Sequence, residues 1–521
     1  MNKWTLILLG GLFLNDVFSY KILVAFPYPG KSHTILGEGF VRHLLDGGHE
    51  VTYITPILIK KPHQNLRQVD VSTNFASFEF TESMDFKKVM GQEVDLKDMH
   101  TMYSTMLVVG NRSVMHENVQ KLIMDPNEQF DLVIGEWLYH NLFSGFATVF
   151  NCPFVWSSSM EPHLMVLNLI DEIPNPAYFA DHMSPLTPPL SFSERVSELL
   201  NVLYLYRIKW QIQDQEALAF EKGFGPAIAK RGLRVPTFEE VKYNASLMFG
   251  NSHVSLGEAH KVPLNYVPIA GYHIDGEVKP LPENLQKIMD NAPNGVIYFS
   301  MGTMMPSKTM PMEFKRAFLD MFSQLKYTVI WKLEEELKDL PKNVHVVQWA
   351  PQQSILAHPN CKLFISHGGL LSTTETVHFG VPIIGVPLFA DQFLNVRRAV
   401  NKGFALKVDL SYDTPAKLKI AIGEILGSPK YTNKVKQLSY IYHNRINKPG
   451  ELINWWVAHV IETRGAVHLR SPALHIPFYQ KLYLDLIALV LLGLVVVVRM
   501  LSKLISGKNT ETKYKKSQKN I

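Results

Sequence analysis

The sequence contains few cysteines, and over most of its length neither positive nor negative charge is in excess. Cys152 and Cys361 are its two cysteines among 521 residues, which excludes a fold held by several disulfides and predicts two buried thiols. From Lys503 onward there are six lysines and one acid, Glu511, which equals the formal net charge of +5. Residues 1–502 are therefore formally neutral, and we expect no nucleic-acid partner.

Only one apolar run is long enough to span a bilayer. LIALVLLGLVVVV at 486–498 is uninterrupted, and residues 482–501 extend it to about twenty, which cover roughly 30 Å as a helix. The lysine-rich tail at 502–521 then fits the positive-inside rule. We predict a transmembrane helix at 482–501, a cytosolic tail and a luminal remainder.

The N-terminus is typical of a secretory signal. Residues 1–19 hold a lysine, a short apolar stretch and small residues near a cut after Ser19, although a buried first strand is the alternative. Together with the anchor this predicts a single-pass type I protein of the endoplasmic reticulum membrane. Asn111 and Asn244 begin Asn-x-Ser sequons and are the predicted glycosylation sites in that compartment.

Strand and helix patterns alternate in two separate parts of the chain. The first opens with KILVAF, a helix at about 33–45, a Gly-Gly turn and VTYIT, a βαβ unit that predicts a parallel sheet. Strands are predicted at 130–135 and 154–158. The helical stretch at 159–245, rich in Met, Leu and Phe, suits an apolar pocket or ordinary helix packing.

After a proline-rich stretch the same rhythm restarts. Strands are predicted at 296–300, 328–331, 344–347, 362–366 and 382–386, with helices near 311–324, from 370 and from 391. The sequence therefore predicts an α/β fold of two facing, doubly wound Rossmann-like domains with a ligand cleft between them. The predicted boundaries are 20–266 for the first domain, 267–290 for the linker, 291–445 for the second domain and 446–481 for C-terminal crossover helices.

The stretch 364–392, FISHGGLLSTTETVHFGVPIIGVPLFADQ, carries the most specific chemistry. A strand ends at Ser366 and a helix follows a Gly-Gly turn, so backbone amides and the helix N-terminus can approach a phosphate. His367 and Ser372 can donate to the same oxygens. Asp391 and Gln392 suit sugar hydroxyls. These features together indicate a nucleotide-sugar site.

The same stretch resembles the signature of the UDP-glycosyltransferase superfamily. QWAPQQSILAHP at 348–359 resembles the family's Trp-x-Pro-Gln sequence, and YFSMGT at 298–303 its Ser-x-Gly-Ser/Thr turn. The final RGAVHLRSPA, apolar span and basic tail resemble membrane-bound animal members, and PYPGKSH resembles invertebrate ones. The signature positions shared are Phe364, Ser366, His367, Gly369, Ser372, Glu375, Pro382, Pro387, Asp391 and Gln392.

The resemblance implies a GT-B fold and a role for each matching residue. Leu371 departs from the pattern, because many members have Asn there beside the phosphate. Any one residue alone keeps a structural alternative, such as a core position for Trp349. The implied donor residues are Trp349 for uracil stacking, Ala350 and Gln352 for base or ribose, Glu375 for ribose, Ser300, Gly302, Thr303, His367, Gly369 and Ser372 for the diphosphate, and Asp391 and Gln392 for the sugar.

The chain contains no Asp-x-Asp sequence, the pair with which metal-dependent glycosyltransferases commonly hold a cation on the diphosphate. We therefore expect neither a metal nor another cofactor, with the UDP-sugar acting as co-substrate. Helix dipole and side-chain donors would neutralise the leaving UDP instead.

Ser32-His33 follows the first strand at the start of a helix, where the resembling family places its catalytic base. Histidine suits that task, and the helix N-terminus should favour the neutral imidazole. A surface or capping histidine is the alternative. Glu136 stands where the family usually has the Asp that orients the base, and its alternative is a cap or a solvent-facing position.

The octet AFPYPGKS at 25–32 also satisfies a loose phosphate-loop pattern, so a P-loop NTPase is a rival interpretation. Pro27 and Pro29 lack the N–H groups that such a loop uses, which favours coincidence and makes Lys31 a bystander. A second rival is a catalytically silent, membrane-anchored protein that binds lipophilic ligands in a transferase-like cleft.

The sequence therefore predicts inverting, metal-independent transfer of a hexosyl group, with glucose favoured over glucuronate, from a UDP-sugar to a hydroxyl. The Met, Phe and Leu content of the first half favours a small lipophilic acceptor. The oligomeric state stays open, a homo-oligomer included.

Overall fold

The computed structural model describes residues 19–77, 86–90, 98–184, 186–303 and 309–517. Apart from Ser19, the predicted signal peptide lies outside these residues. The chain divides into two compact units, Met1–Arg470 and Ser471–Ile521.

The first unit contains two sheets in which every strand pair is parallel, which confirms the predicted fold class. The first sheet has the order β3-β2-β1-β4-β5-β6-β7 and the second β10-β9-β8-β11-β12-β13. The strands are β1 Lys21–Ala25, β2 Glu50–Thr55, β3 Leu66–Asp70, β4 Leu132–Trp137, β5 Phe154–Ser158, β6 Leu247–Gly250, β7 Tyr266–Pro268, β8 Val296–Ser300, β9 Thr328–Lys332, β10 Val344–Val347, β11 Cys361–Ser366, β12 Ile383–Gly385 and β13 Ala405–Lys407.

The strand order of each sheet reverses at one place, and these two places determine where a ligand can bind. β1 lies beside β4 although residues 26–131 separate them, and β8 lies beside β11 in the same way. Loops leaving neighbouring strands at such a switch point diverge and open a crevice at the carboxyl edge of the sheet. The predicted base follows β1, and the predicted phosphate residues follow β8 and β11.

Helices cover both sheets, as continuous apolar strands require. The longest, Phe192–Lys230, fills much of the predicted helical stretch and begins with a capping box between Ser191 and Glu194. The helices of the first unit are Lys31–Asp46, Phe86–Met90, Met99–Met115, Glu117–Met124, Ser144–Phe150, Leu164–Leu167, Phe192–Lys230, Phe238–Lys242, Glu283–Asp290, Met312–Ser323, Gln352–Ala357, Leu370–Phe379, Gln392–Asn401, Thr414–Gly427, Pro429–His443 and Pro449–Glu462.

The predicted linker, 267–290, covers the connection between the two sheets together with residues of two regular elements. Its first residues belong to β7, which tolerates Pro268 because β7 is an edge strand. Its last residues form the helix Glu283–Asp290. Residues 269–282 are therefore the irregular connection.

The helix Pro449–Glu462 returns to the first half of the unit, the half that contains the first sheet. The second half is the one that contains the second sheet. Ile453, Val457 and Val460 are fully buried in the same cluster as Ile22 and Val24 of β1. The side-chain amide of Asn454 donates to the carbonyl of His43 at 2.9 Å. This return ties the C-terminal end of the second half to the first sheet.

The second unit holds the helices Phe478–Lys481 and Leu484–Ser517. The stretch Leu484–Ser506, 23 residues, is long and apolar enough to cross a membrane. The helix continues past residue 501, so the predicted boundary between anchor and tail does not coincide with a helix end.

The cysteines and the sequons have distinct surroundings in the first unit. Both cysteines are free, Cys361 buried and Cys152 half-buried. Asn111 lies within the helix Met99–Met115, and the serine of its sequon, Ser113, is buried. Asn244 is exposed in the turn before β6, where its side-chain oxygen accepts from Arg470 at 2.6 Å.

Candidate active site

A cleft of about 590 Å³ lies between the carboxyl edges of the two sheets. His33 and all of the predicted donor residues line it, while Glu136 lies directly behind His33. The lining residues from the donor side are Ser300, Gly302, Thr303, Trp349, Ala350, Gln352, His367, Gly369, Ser372, Glu375, Asp391 and Gln392. Residues that are far apart in the sequence therefore converge on one cavity.

His33 and Glu136 form a close polar pair on the side of the cleft that the first sheet provides. The Nδ1 atom of His33 lies 2.5 Å from Oε1 of Glu136. Glu136 is completely buried, and the His33 side chain is 21% exposed. The geometry excludes a solvent-facing or capping role for Glu136 and orients the imidazole so that Nε2 is free of Glu136.

The protonation of His33 differs from the sequence-based expectation. Burial lowers the pKa of His33, but the Glu136 carboxylate, together with Asp391, outweighs burial, so the pKa lies above its ordinary value of 6.5. The expectation that the helix N-terminus favours the neutral imidazole was therefore wrong in its net direction. A carboxylate in contact outweighs partial charges at a helix end.

Two glycines let the backbone approach a ligand on the opposite side of the cleft. Gly302, with φ of +79°, follows β8, and Gly369 precedes the helix Leu370–Phe379. A Cβ atom on either residue would lie 2.6 Å from an imidazole atom of His367. The absence of a side chain at Gly302 and Gly369 therefore leaves room for the His367 ring beside both turns.

His367 is held as a neutral donor. Burial and the neighbouring charge of Lys332 lower the pKa of His367 to about 4. The ammonium of Lys332 donates to the carbonyl of Gly302 at 2.9 Å and lines the cleft. Sequence reasoning missed Lys332, although a cation at the end of the strand beside β8 was the available signal.

Gln352 joins Ser372 to Glu375. Its side-chain NH2 group donates to Ser372 Oγ at 3.1 Å and to Glu375 Oε2 at 2.6 Å. The other Glu375 oxygen lies 3.3 Å from Gln353 Nε2 and 3.5 Å from His273 Nε2. Gln352 and Gln353 thus orient the carboxylate through hydrogen bonds, while His273 lies beside it without one. His273 and Gln353 are further cleft residues that the sequence did not identify.

Trp349 is 54% exposed, which excludes the core alternative. The ammonium of Lys31 lies 3.0 Å from the centroid of its ring. The lysine predicted to be a bystander therefore lies in the cleft, in contact with the residue expected to stack on uracil. It is the first residue of the helix Lys31–Asp46, and Pro27 and Pro29 before it cannot supply the amides of a phosphate loop.

Asp391 and Gln392 stand where the helix Gln392–Asn401 begins. Burial raises the pKa of Asp391, and its Oδ2 atom accepts from Asn395 at 2.9 Å. The Gln392 side-chain oxygen accepts from the backbone amides of Leu388 and Phe389 at 2.9 and 3.3 Å. The Gln392 oxygen is therefore already engaged, and its NH2 group is the part of the side chain that remains to bind a sugar, as a donor.

One stretch of the wall that comes from the first half is apolar, while Glu38 and Arg42 line another part. Met102, Met106, Leu138 and Met160 line the apolar stretch together with the Tyr139 ring. Tyr139 has a φ of +60°, an uncommon conformation for a bulky residue and one found at ligand sites.

Leu371, the departure from the family pattern, lines the cleft and packs against the apolar cluster beneath the first sheet. Its apolar side chain therefore serves a contact between the two halves. An Asn at this position would lose that contact.

Comparison with known proteins agrees with this geometry. The family model described as UDP-glucoronosyl and UDP-glucosyl transferase matches residues 21–519. UDP-glucosyltransferase 2 of Dactylopius coccus is 32% identical over 476 residues, 90% of this chain and 90% of that protein. UDP-glucuronosyltransferase 2B1 of Rattus norvegicus is 28% identical over 499 residues, 91% of this chain and 90% of that protein.

Among solved structures, CalG4, the calicheamicin glycosyltransferase, superposes with a TM-score of 0.55 and 18% identity, over 85% of this chain and 98% of that one. At that identity the likeness concerns the fold, which is the GT-B arrangement. The match of the family model over nearly the whole chain, and the relative at 32% identity, decide the assignment. The chain belongs to the UDP-glucoronosyl and UDP-glucosyl transferase family and is a UDP-glycosyltransferase.

Proposed function

We propose that this chain transfers a hexosyl group, glucose in preference to glucuronate, from a UDP-sugar to a hydroxyl of a small lipophilic acceptor, with inversion and without a metal ion on the diphosphate. The observation that carries the proposal is the His33–Glu136 contact of 2.5 Å at the edge of the cleft. A histidine oriented by a buried carboxylate is the arrangement that removes a proton from an attacking hydroxyl.

In this mechanism Nε2 of His33 accepts the acceptor's hydroxyl proton as the new bond forms. Glu136 holds the ring through Nδ1 and stabilises the imidazolium that results. The acceptor oxygen attacks the anomeric carbon from the side opposite UDP, so an α-linked donor gives a β-glycoside.

The leaving UDP gains negative charge on its phosphates as the bond breaks. The neutral His367, the hydroxyls of Ser300 and Ser372 and the start of the helix Leu370–Phe379 can stabilise that charge by donating hydrogen bonds. The Lys332 ammonium, which is paired with the Glu334 carboxylate, also donates to the Gly302 carbonyl at this turn. These groups supply the stabilisation for which other transferases use a cation.

The base, ribose and sugar have separate places along the cleft. We assign Trp349, Ala350 and Gln352 to uracil and ribose, Glu375 to the ribose hydroxyls, and Asp391 with Gln392 to the transferred sugar. The preference for glucose rests on the relative from Dactylopius coccus, whose name is UDP-glucosyltransferase 2. The methionine-rich wall supports a lipophilic acceptor.

We also propose a single-pass type I protein of the endoplasmic reticulum membrane with the catalytic unit in the lumen. The apolar stretch Leu484–Ser506 supports the anchor. The lysines that follow it support the orientation. An anchored enzyme would meet lipophilic acceptors where membranes concentrate them.

The proposal is tested by incubating purified full-length protein with labelled UDP-glucose or UDP-glucuronate and a panel of phenols, in the presence of EDTA. We expect a β-glycoside from UDP-glucose at an unchanged rate with and without the chelator. Formation of no glycoside from any pair would contradict the proposal, and dependence on added Mg²⁺ or Mn²⁺ would contradict its metal-free part.

A further inference from the structure

A cluster of three metal-binding side chains lies in the first half, apart from the residues of the proposed transfer. His163 precedes the short helix Leu164–Leu167, and Asp181 with His182 belongs to the segment before the helix Phe192–Lys230. One ligating atom from each residue lies within 4.8 Å of the others. The three side chains are at most 3% exposed.

Most polar atoms of this cluster have no hydrogen-bond partner in the protein. Both imidazole nitrogens of His163, Nδ1 of His182 and Oδ1 of Asp181 are buried without one. The 3.1 Å approach of His182 Nδ1 to Asp181 Oδ2 is an ion-pair distance without hydrogen-bond alignment. An unsatisfied buried polar group costs about 1–3 kcal/mol, so four together call for a ligand that satisfies them.

The partner of the remaining His182 nitrogen fits metal coordination. Its Nε2 atom lies 2.9 Å from the hydroxyl of Tyr139. Ligating histidines commonly donate their second N–H to an oxygen, which fixes the tautomer and leaves the first nitrogen's lone pair for the metal. In the tautomer whose Nε2–H donates to Tyr139, the lone pair of His182 is on Nδ1, the atom without an aligned partner.

We propose that His163, Asp181 and His182 bind one divalent transition-metal ion, with zinc as the best match. Two imidazoles and a carboxylate suit zinc, and a water would complete four-coordination. Tetrahedral ligands at about 2.0–2.2 Å from zinc lie roughly 3.3 Å apart, so donors that lie within 4.8 Å of one another must approach by at most roughly 1.5 Å. The His182–Asp181 distance already matches this spacing.

In this proposal the ion is structural and binds no substrate, although the charge of His182 acts on Asp391, the predicted sugar residue. It links the start of the helix Leu164–Leu167 to the segment that carries Asp181 and His182. Through His182 it also fixes Tyr139, which lines the acceptor side of the cleft. The diphosphate residues belong to the other half, so a metal here is compatible with metal-free transfer.

The test measures metal content in full-length protein purified in detergent with a tag that contains no histidine and without chelators. Elemental analysis should give about one zinc per chain. His163→Gln and His182→Gln should reduce this at least tenfold, whereas His49→Asn should not. His49 is a suitable control because it is 5% exposed and its Nδ1 atom already accepts from the backbone of Tyr20 at 3.4 Å.

Two measurements on the unmodified protein keep the test valid if a variant fails to fold. Prolonged dialysis against a strong chelator should lower the melting temperature, and added Zn²⁺ should restore it. Co²⁺ added to the dialysed protein should produce the visible absorption of a four-coordinate site. Absence of bound metal, with no response to Zn²⁺ or Co²⁺, would overturn the proposal, as would equal zinc in His49→Asn, His163→Gln and His182→Gln. None of these readings depends on glycosyl transfer.

Discussion

Replacing Glu136 with Gln isolates the charge that acts on His33. The two side chains have nearly the same shape, and Glu136 is fully buried at 2.5 Å from the imidazole. The variant therefore removes a negative charge with little change in packing. It leaves an amide that stabilises imidazolium poorly.

The size of the effect follows from that burial. Breaking a buried charge pair costs about 3–5 kcal/mol because the remaining charge loses its partner. In the proposed mechanism His33 carries the positive charge in the transition state, so this loss raises the barrier. At about 1.4 kcal/mol per tenfold change, kcat should fall roughly 10²- to 10⁴-fold.

The pH dependence provides an independent reading of the same contact. Transfer requires neutral His33, so kcat/KM should decline as the pH drops through the pKa of His33, which lies above 6.5 in the unmodified enzyme. In Glu136→Gln the charge that raises the pKa most is gone. Burial, which lowers the pKa of His33, then acts against the charge of Asp391 alone. The acid limb of the profile should therefore move to lower pH while kcat falls.

The assay measures initial rates of β-glycoside formation between about pH 5 and 9 for both proteins. Glu216→Gln is the matched control, because Glu216 is a buried carboxylate of the same half that accepts from the backbone amide of Asn141 rather than from His33. We expect the control to keep its acid limb. An unchanged rate and an unchanged limb in Glu136→Gln would refute the role of the pair.

Three further predictions concern the base and the donor side. His33→Ala should abolish transfer while UDP still binds by calorimetry, and loss of UDP binding would instead indicate a donor role. Trp349→Ala should weaken UDP binding about 5- to 150-fold, because stacking on a base contributes roughly 1–3 kcal/mol; an unchanged Kd would remove Trp349 from the uracil site. Gly369→Ala should weaken UDP binding at least tenfold, because its Cβ would meet His367 at 2.6 Å. Gly423→Ala, where the added Cβ meets nothing within 4 Å, should leave the Kd unchanged.

The fold was predictable because its signals are local. Each strand of the second sheet except β13 was anticipated from an apolar run between turn residues, and the Gly-Gly turn before β2 indicated the first βαβ unit. The linker was less predictable, because Tyr266–Pro268 becomes a strand only by pairing with β6. A proline in that stretch indicates irregular structure from sequence alone, and only the position of β7 at the edge of the sheet explains why it is tolerated in a strand.

The position of His33 and Trp349 in one cleft was predictable, because the chemistry of each residue and the family pattern agree. Contacts between distant segments were not predictable. Lys31 reaches Trp349 across the cleft, and Lys332 reaches Gly302 from the neighbouring strand. The direction in which the pKa of His33 shifts was not predictable either, because it depends on the contact between His33 and Glu136, two residues far apart in the sequence.

The most direct test of the account compares the unmodified protein with His33→Ala in transfer from labelled UDP-glucose to a phenol, with EDTA present and UDP binding measured in parallel. We predict β-glucoside from the unmodified protein, none above background from His33→Ala, and similar UDP affinity in both. Transfer by His33→Ala at the unmodified rate would contradict the assignment of the base.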